Sequence, residues 1–136
     1  MQEIKLRTPI FVRFGDTDPY GVVYFVSYFR YCHWGIEEFL RHLGLAPDEI
    51  FRNRKEKFGL PVVGAKCDFY LPVWYGQELE LETSIKEMRS KVLIFNFQFY
   101  RPPEEAIIAK GEATLVAIGS DWRSRELPEI LTAKLK

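Results

Sequence analysis

The sequence predicts an α+β fold in which a five-stranded antiparallel sheet wraps around one long central helix. Five segments alternate apolar and polar residues with the period of two that half-buried strands show. One segment between the first and second strands repeats its apolar residues at steps of three and four, as an amphipathic helix does. Because a single helix separates the first strand from the other four, an antiparallel sheet packed on that helix is expected.

The first strand and the helix are read from residues 3–43. The strand covers residues 3–14, and the helix is expected from about residue 27, capped by Ser27, to residue 43, with Gly44 ending it. Gly35 inside the helix indicates that a neighbouring element approaches closely. The apolar face of the helix comprises Phe29, Cys32, Ile36, Phe39, Leu40 and Leu43.

The remaining elements follow from turn signals and alternation. Pro47 opens a short second helix. Four strands are then predicted from residue 61 to 71, 78 to 85, 93 to 99 and 106 to 118, and a short helix closes the chain. The last strand carries small residues on one face, which predicts close packing on the central helix. These residues are Ala109, Gly111, Ala113 and Ala117.

Composition places residues 1–136 in a single globular domain. Nineteen basic residues balance nineteen acidic ones, so no net charge favours DNA, RNA or an anionic membrane as a partner. No apolar stretch is long enough to cross a membrane, and the first residues lack the apolar segment of a secretory signal. A cytoplasmic location is therefore expected.

The cysteines and histidines predict neither disulfides nor a metal site. Cys32 and Cys67 each lie in an apolar pattern, which is typical of a small buried side chain. His33 and His42 have no metal-ligand partners at useful spacing. A helical histidine such as His33 is expected to pack or to reach solvent. We expect no metal and no resident cofactor.

The residues that point to chemistry lie in the run from Phe14 to Tyr24, between the first strand and the helix. This turn-rich run contains Asp16, Asp18, Pro19 and Gly21. Such a loop can hold a carboxylate at the mouth of a cleft. In the alternative interpretation the two aspartates only close the turn through their side chains.

This run resembles the signature of the 4-hydroxybenzoyl-CoA thioesterase family, and within it the YbgC-type acyl-CoA thioesterases. The resemblance includes the aromatic residues that follow the run and extends through Gly59–Val63 and Ile85–Lys91, so it covers most of the chain in order. It implies the hotdog fold, with homodimers that often assemble into homotetramers and active sites at the subunit interface. An uncovered edge strand would independently favour dimerisation.

The resemblance also assigns residues. It places the catalytic aspartate at Asp18 and the carbonyl-polarising backbone N–H at Phe25. The segment that meets the phosphates of coenzyme A corresponds to Arg89, Ser90 and Lys91. An acyl tunnel is expected to draw on Tyr24, Tyr28, Tyr31, Val62, Val63 and Phe69.

The expected reaction is hydrolysis of a short-chain aliphatic or aromatic acyl-CoA to the free acid and CoA, with coenzyme A as part of the substrate. A thioester needs a nucleophile and stabilisation of the developing oxyanion, which one carboxylate and the N–H groups at a helix start can supply. Whether Asp18 attacks the carbonyl or activates water stays open.

The sequence leaves two alternative classes of function to compare. Hydratases on a similar fold need a histidine in the loop before the central helix, and neither His33 nor His42 lies there. A non-catalytic module that binds acyl-CoA or acyl-carrier protein is the remaining alternative, because a carboxylate can persist as a turn residue.

Overall fold

A five-stranded antiparallel sheet packed against one long helix forms the body of the molecule. The computed structural model describes residues 3–135. The helices are α1 (Phe25–His42), α2 (Pro47–Phe51) and α3 (Glu129–Leu135), and a 3-10 turn covers Phe14–Asp16. The strands are β1 (Lys5–Phe11), β2 (Arg52–Asn53), β3 (Phe58–Gly59), β4 (Val62–Phe69), β5 (Glu78–Met88), β6 (Val92–Tyr100), β7 (Ile107–Val116) and β8 (Ile118–Gly119).

The large sheet has the strand order β1-β5-β6-β7-β4, with every neighbouring pair antiparallel. The five predicted strands are thus confirmed. The prediction missed a second, three-stranded sheet in the order β2-β3-β8. Its strands have two residues each, too few for alternation to appear in the sequence.

The core lies between α1 and the inner face of the large sheet. Alternate residues of β5 and β6 point inward because side chains in a strand change face at every step. The fully buried members of these two strands are Leu79, Leu81, Thr83, Leu93, Phe95, Phe97 and Phe99. Each buried leucine or phenylalanine stabilises the fold by about 1.5–3 kcal/mol. No helix within residues 3–135 is both long and apolar enough to span a membrane.

Helix α1 begins two residues earlier than predicted. Its N-cap is Tyr24, and Ser27 lies in the first turn without capping the helix. The C-terminal end is as predicted, since the last helical residue is His42 and Gly44 has a positive φ of 80°. Of the predicted apolar face, four residues are buried and Phe29 and Leu43 are half-buried.

Strand β4 departs from the expected half-buried pattern. It forms one edge of the sheet and pairs only with β7. All of its residues are exposed except the half-buried Cys67. The strand predicted for residues 61–71 is therefore present, but Val63, Ala65 and Phe69 on one of its faces stay exposed and only Cys67 is partly covered. The first strand is shorter than the predicted residues 3–14, because β1 ends at Phe11 and Phe14 lies in the 3-10 turn, where it is 77% exposed.

Both cysteines are free thiols, and only Cys32 is fully buried. Burial raises the pKa of both thiols, that of Cys67 to about 12. The sulfur atoms of both cysteines lie beside Gly111 of β7. A Cβ added at Gly111 would be 3.5 Å from the Cys67 sulfur and 3.7 Å from the Cys32 sulfur. Of the predicted small-residue face of β7, Gly111 thus lies against Cys32 of α1, whereas the close approach of α1 is to β5.

Gly35 is the closest approach of α1 to the sheet, as its position predicted. A Cβ added there would lie 2.5 Å from Thr83 Oγ1 and 2.8 Å from Leu81 Cδ2. Both atoms belong to buried residues of β5, so neither has space to move away. The absence of a side chain at Gly35 therefore sets the distance between α1 and β5.

Gly35→Ala is expected to lower the free energy of unfolding by roughly 1–3 kcal/mol, because overpacking outweighs the gain in helix propensity of about 1 kcal/mol. Urea denaturation measures the change. Gly15→Ala is the matched control, since a Cβ at Gly15 meets no atom within 4 Å. Equal stability of the two variants would contradict the close approach.

Candidate active site

A buried carboxylate, that of Asp16, holds the loop before α1 in place. Its Oδ2 accepts hydrogen bonds from the Arg13 N–H (3.1 Å) and the Tyr31 hydroxyl (2.9 Å). Its Oδ1 accepts one from the Arg30 guanidinium at 3.2 Å. Asp16 is only 7% exposed, and a buried carboxylate is stable only with such partners. Because Arg30 and Tyr31 belong to α1, the loop is tied to the helix.

The backbone of Asp16 makes a second set of contacts to the helix start. Its carbonyl oxygen accepts the Tyr24 N–H at 2.8 Å and the Ser27 hydroxyl at 2.9 Å. Ser27, predicted as the helix cap, therefore binds the preceding loop from inside the first turn. Residues 17–23 form the loop that carries Asp18. This loop begins next to Asp16 and ends next to Tyr24, whose N–H donates to the Asp16 carbonyl.

Asp18 closes a turn with one oxygen and keeps the other available. Its Oδ1 accepts the N–H of Tyr20 at 2.9 Å, with a longer contact of 3.4 Å from Val22. Its backbone pairs with Val22, and Gly21 adopts the positive φ of 94° that the tight turn requires. Oδ2 accepts no hydrogen bond from residues 3–135, and the residue is half-buried. The turn role and a chemical role are therefore compatible.

The start of α1 supplies backbone donors beside this loop. Phe25 and Val26 are the first two helical residues, so their N–H groups have no acceptor within the helix. Tyr24 precedes them in extended conformation and is 43% exposed. N–H groups at a helix start carry partial positive charge and favour a negatively charged oxygen.

An apolar cavity of about 260 Å³ opens next to these groups. Val22, the hydrogen-bond partner of Asp18, and Phe25 both line it, as do Tyr28, Phe69 and residues 70–73. The Tyr28 ring packs on Phe69 with 4.9 Å between ring centroids. Burial raises the pKa of Tyr28 to about 12, so the phenol is neutral at physiological pH. The cavity is therefore an uncharged aromatic pocket. Asp18 does not line it but contacts Val22, which does.

Tyr31, predicted to line the acyl tunnel, does not line this cavity. It is completely buried, and its hydroxyl donates to Asp16. Burial and this hydrogen bond raise the pKa of Tyr31 far above its ordinary value. Tyr31 therefore supports the loop before α1 and does not contact the cavity.

One subunit does not bring all predicted site residues together. Val62 lies at the start of β4, opposite Leu115, whereas Phe69 lies at its end, opposite Ala109. The two ends are about 23 Å apart at the usual rise of a strand. Val62 and Val63 are 44% and 61% exposed, away from the cavity beside Asp18.

The Arg89–Lys91 turn is at this same distant end. The carbonyl of Lys91 accepts the Ala117 N–H at 3.0 Å, just after the end of β7. The Arg89 guanidinium is held by both carboxylate oxygens of Glu87, at 3.0 and 2.9 Å, and this contact keeps the pKa of Glu87 below its usual value. Asp18 and the predicted phosphate-binding residues are thus at opposite ends of β4.

His33 lies on the exposed side of α1. Its Nδ1 is 3.2 Å from Glu37, and its ring packs on Phe51. It therefore has the packing role that was expected for it. Within residues 3–135, no cluster of three or more His, Cys, Asp or Glu side chains could hold a metal ion.

Sequence reasoning missed two features. Local pattern gave Asp16 no role beyond a turn residue, because Asp16 and Asp18 stand in the same turn and only tertiary contacts reveal that Asp16 anchors the loop. It also passed over the basic run from Arg52 to Lys57, which the sequence displays openly. That run lines a second cavity, described below.

The antiparallel sheet on one helix, with a carboxylate beside the helix start, is the arrangement of a hotdog-fold thioesterase. The sequence profile described as the thioesterase-like superfamily matches residues 12–135. The chain belongs to this superfamily. The predicted enzyme class, an acyl-CoA thioesterase, is confirmed.

Individual relatives agree with this assignment. A 1,4-dihydroxy-2-naphthoyl-CoA hydrolase of Prochlorococcus marinus MIT 9303 is 36% identical over 124 residues, which cover 87% of this chain and 81% of the relative. The structure of a gentisyl-coenzyme A thioesterase has a TM-score of 0.81 at 27% identity, over 93% of this chain and 99% of the other. A 1,4-dihydroxy-2-naphthoyl-CoA thioesterase from Synechocystis has a TM-score of 0.89 over 96% of this chain and 95% of its own, and at 23% identity it shows the fold alone.

Tyr31→Phe is expected to lower the free energy of unfolding by about 1–3 kcal/mol, because the buried Asp16 carboxylate loses a donor. Denaturant titration gives the value. Tyr28→Phe is the matched control, since it also deletes a hydroxyl from a buried tyrosine but breaks no hydrogen bond within residues 3–135. If both variants lose the same stability, the bond to Asp16 does not support the loop.

Proposed function

We propose that the protein hydrolyses the thioester of an aromatic acyl-CoA, with Asp18 as the catalytic carboxylate. The observation that carries the proposal is the position of Asp18. Its side chain, with one oxygen free of hydrogen bonds from residues 3–135, contacts the backbone of Val22. Val22 lines an aromatic cavity that also includes the first residue of α1. A carboxylate, unpaired N–H groups and an apolar pocket are what the reaction needs.

The chemistry has two routes that use the same groups. In the first, Asp18 attacks the thioester carbon, the C–S bond breaks, the CoA thiolate leaves, and water then hydrolyses the resulting anhydride. In the second, Asp18 takes a proton from water as the water attacks the same carbon, and the C–S bond then breaks so that the CoA thiolate leaves and the free acid forms. Both routes place negative charge on the carbonyl oxygen, and the N–H groups of Phe25 and Val26 would stabilise it.

The aromatic lining of the cavity supports an aromatic acyl group over a short aliphatic one. Phe25, Tyr28 and Phe69 offer ring faces and edges, which pack well on another ring. The relatives named for 1,4-dihydroxy-2-naphthoyl-CoA and gentisyl-CoA both act on hydroxylated aromatic acyl groups. We therefore propose a hydroxylated aromatic acyl-CoA as the substrate. Membership of the YbgC-type branch stays a prediction, as do the cytoplasmic location and the absence of a resident cofactor.

We also propose that the subunit dimerises through β4. An edge strand offers unpaired N–H and C=O groups along its length. The other edge, β1, contains Pro9, which cannot donate to a ladder, whereas β4 contains no proline and exposes Val62, Val63 and Phe69. A second copy of β4 would cover these side chains and complete the sheet. Assembly of two dimers into a tetramer stays a prediction.

Antiparallel pairing of two β4 strands would also unite the predicted site. It would place the β4 start of one subunit, with Val62, Val63 and the Arg89–Lys91 turn, beside the cavity at Asp18 of its partner. Ser90 and Lys91 are then available to coenzyme A phosphates, whereas Arg89 would first have to leave Glu87.

Asp18→Asn is expected to reduce kcat by at least about a hundredfold, the scale of a lost catalytic carboxylate. The asparagine oxygen can still accept the Tyr20 N–H, so the turn should persist. Thiol release from a panel of aromatic and short-chain acyl-CoA substrates measures the rate. Asp121→Asn is the matched control, because Asp121 Oδ1 accepts the N–H two residues ahead in the same way.

Unchanged kcat in Asp18→Asn would remove Asp18 from the mechanism and leave it as a turn residue. A wild-type protein that binds CoA but cleaves none of the panel would favour the alternative, a module that binds acyl-CoA or acyl-carrier protein.

Sedimentation is expected to give a mass of twice the 16.0 kDa chain or a higher even multiple. Hydrogen exchange tests which edge is used. In a β4-paired dimer the β4 amides that point away from β7 exchange slowly, whereas the unpaired amides of β1 exchange fast. Fast exchange at β4 would show that another surface forms the dimer, and a mass of 16.0 kDa would rule the dimer out.

A further inference from the structure

A second cavity, of about 580 Å³, lies at the start of β4. Its walls come from the segment that contains β2 and β3 and from four residues that follow β7, namely Ile118, Gly119, Ser120 and Trp122. Pro61, the residue just before β4, is also part of the wall. We refer to it as the basic cavity, because Arg52, Arg54 and Lys57 line it.

No carboxylate lines the basic cavity. Arg52, Arg54 and Lys57 are exposed, and in the described chain none of them forms a salt bridge. Arg30 and Arg89, by contrast, are each held by a carboxylate. Three unpaired cations around one concave surface favour a ligand with more than one negative charge.

The basic cavity also presents an exposed aromatic ring. Trp122 lines it and is 77% exposed. The backbone N–H of Trp122 donates to the Gly119 carbonyl at 3.0 Å and holds the residue in a turn where its φ is 65°. An exposed indole next to cations suits a ligand that joins a flat ring to phosphate groups, because the ring can stack while the phosphates pair with guanidinium groups.

The basic cavity and the cavity beside Asp18 stand at the two ends of the same edge strand. Pro61 borders the first and Phe69 borders the second. Within one subunit they are therefore separated by the length of β4, about 23 Å. When two β4 strands pair antiparallel about their middle, the basic cavity of each subunit comes next to the Asp18 cavity of the other.

We propose that the basic cavity binds the phosphorylated adenine nucleotide end of coenzyme A while the thioester lies at Asp18 of the partner subunit. The inference rests on the proposed function and on pairing through β4, and it assigns the nucleotide to Arg52, Arg54, Lys57 and Trp122. Each active site then takes its carboxylate from one chain and its nucleotide subsite from the other.

The first test removes the three charges by combining Arg52→Gln, Arg54→Gln and Lys57→Asn, where asparagine suits the positive φ of residue 57. KM for an acyl-CoA is expected to rise at least about tenfold, the effect of losing one or more charged hydrogen bonds. The same acyl group on pantetheine, which lacks the nucleotide, should be cleaved with unchanged kcat/KM. Trp122→Ala should raise KM for acyl-CoA in the same selective way.

The matched control combines Lys5→Gln, Lys55→Gln and Lys134→Gln, which removes the same charge from exposed lysines outside the basic cavity. A similar KM increase in this control would show that the effect comes from long-range electrostatics, and it would overturn the proposal. An unchanged KM in the cavity variant, or an equal loss with the pantetheine thioester, would also overturn it.

The second test asks which chain supplies the nucleotide subsite. Differently tagged subunits, one carrying Asp18→Asn and the other the triple cavity substitution, are coexpressed and the mixed dimer is isolated. If the site is shared, one of its two sites has both Asp18 and an intact basic cavity, so about half of the wild-type kcat/KM returns. If no activity beyond that of the two parents returns, the cavity does not serve the partner.

A third measurement separates this proposal from the proposed function. Calorimetry with adenosine 3′,5′-bisphosphate reads nucleotide binding without any hydrolysis. Binding by the wild type that is lost in the cavity variant supports the basic cavity, even for a protein that cleaves no thioester. Hydrolysis of acyl-CoA without such binding leaves the proposed function standing and overturns the nucleotide subsite.

Discussion

The buried carboxylate of Asp16 is the constraint on which the active-site geometry depends. A buried carboxylate needs hydrogen-bond donors, and those of Asp16 are the Arg30 and Tyr31 side chains of α1 and the backbone N–H of Arg13, just after β1. These bonds cross from the loop to the helix, so the two cannot move independently. Asp18 lies on the loop and the N–H of Phe25 lies on the helix. Their relative position is therefore set by a residue that need not touch the substrate.

The fold separates a closed core from an open edge. Strands β5 and β6 pack their inner faces against α1, with Gly35 setting the distance, and these contacts are complete within one chain. Strand β4 adds hydrogen bonds to the sheet but buries almost nothing of itself. The packing of the core is thus complete within one chain, whereas β4 remains available for contacts between chains.

Periodicity revealed the helix and the strands because burial within one chain imposes a period on the sequence, and it failed where tertiary or intermolecular contacts decide. Ser27 was predicted to cap the helix, but the N-cap is Tyr24, whose N–H donates to the Asp16 carbonyl. The alternation of β4 predicted a half-buried strand, but within residues 3–135 nothing covers most of its side chains. The motif singled out Asp18, yet no local signal separated it from Asp16. The cations of residues 52–57 resembled an ordinary solvated turn because their aromatic neighbour, Trp122, lies far along the chain.

The register of a β4–β4 pairing acquires a meaning from the two cavities at the ends of the strand. If each site joins the acyl cavity of one subunit to the nucleotide cavity of its partner, the offset between the two strands sets the distance that the pantetheine arm must span. A slip of two residues would keep every side chain on its face but move the two half-sites by about 7 Å relative to each other. Two-fold symmetry would apply the same change to both sites. Strand register would then act as a molecular ruler, selecting the carrier independently of the acyl group.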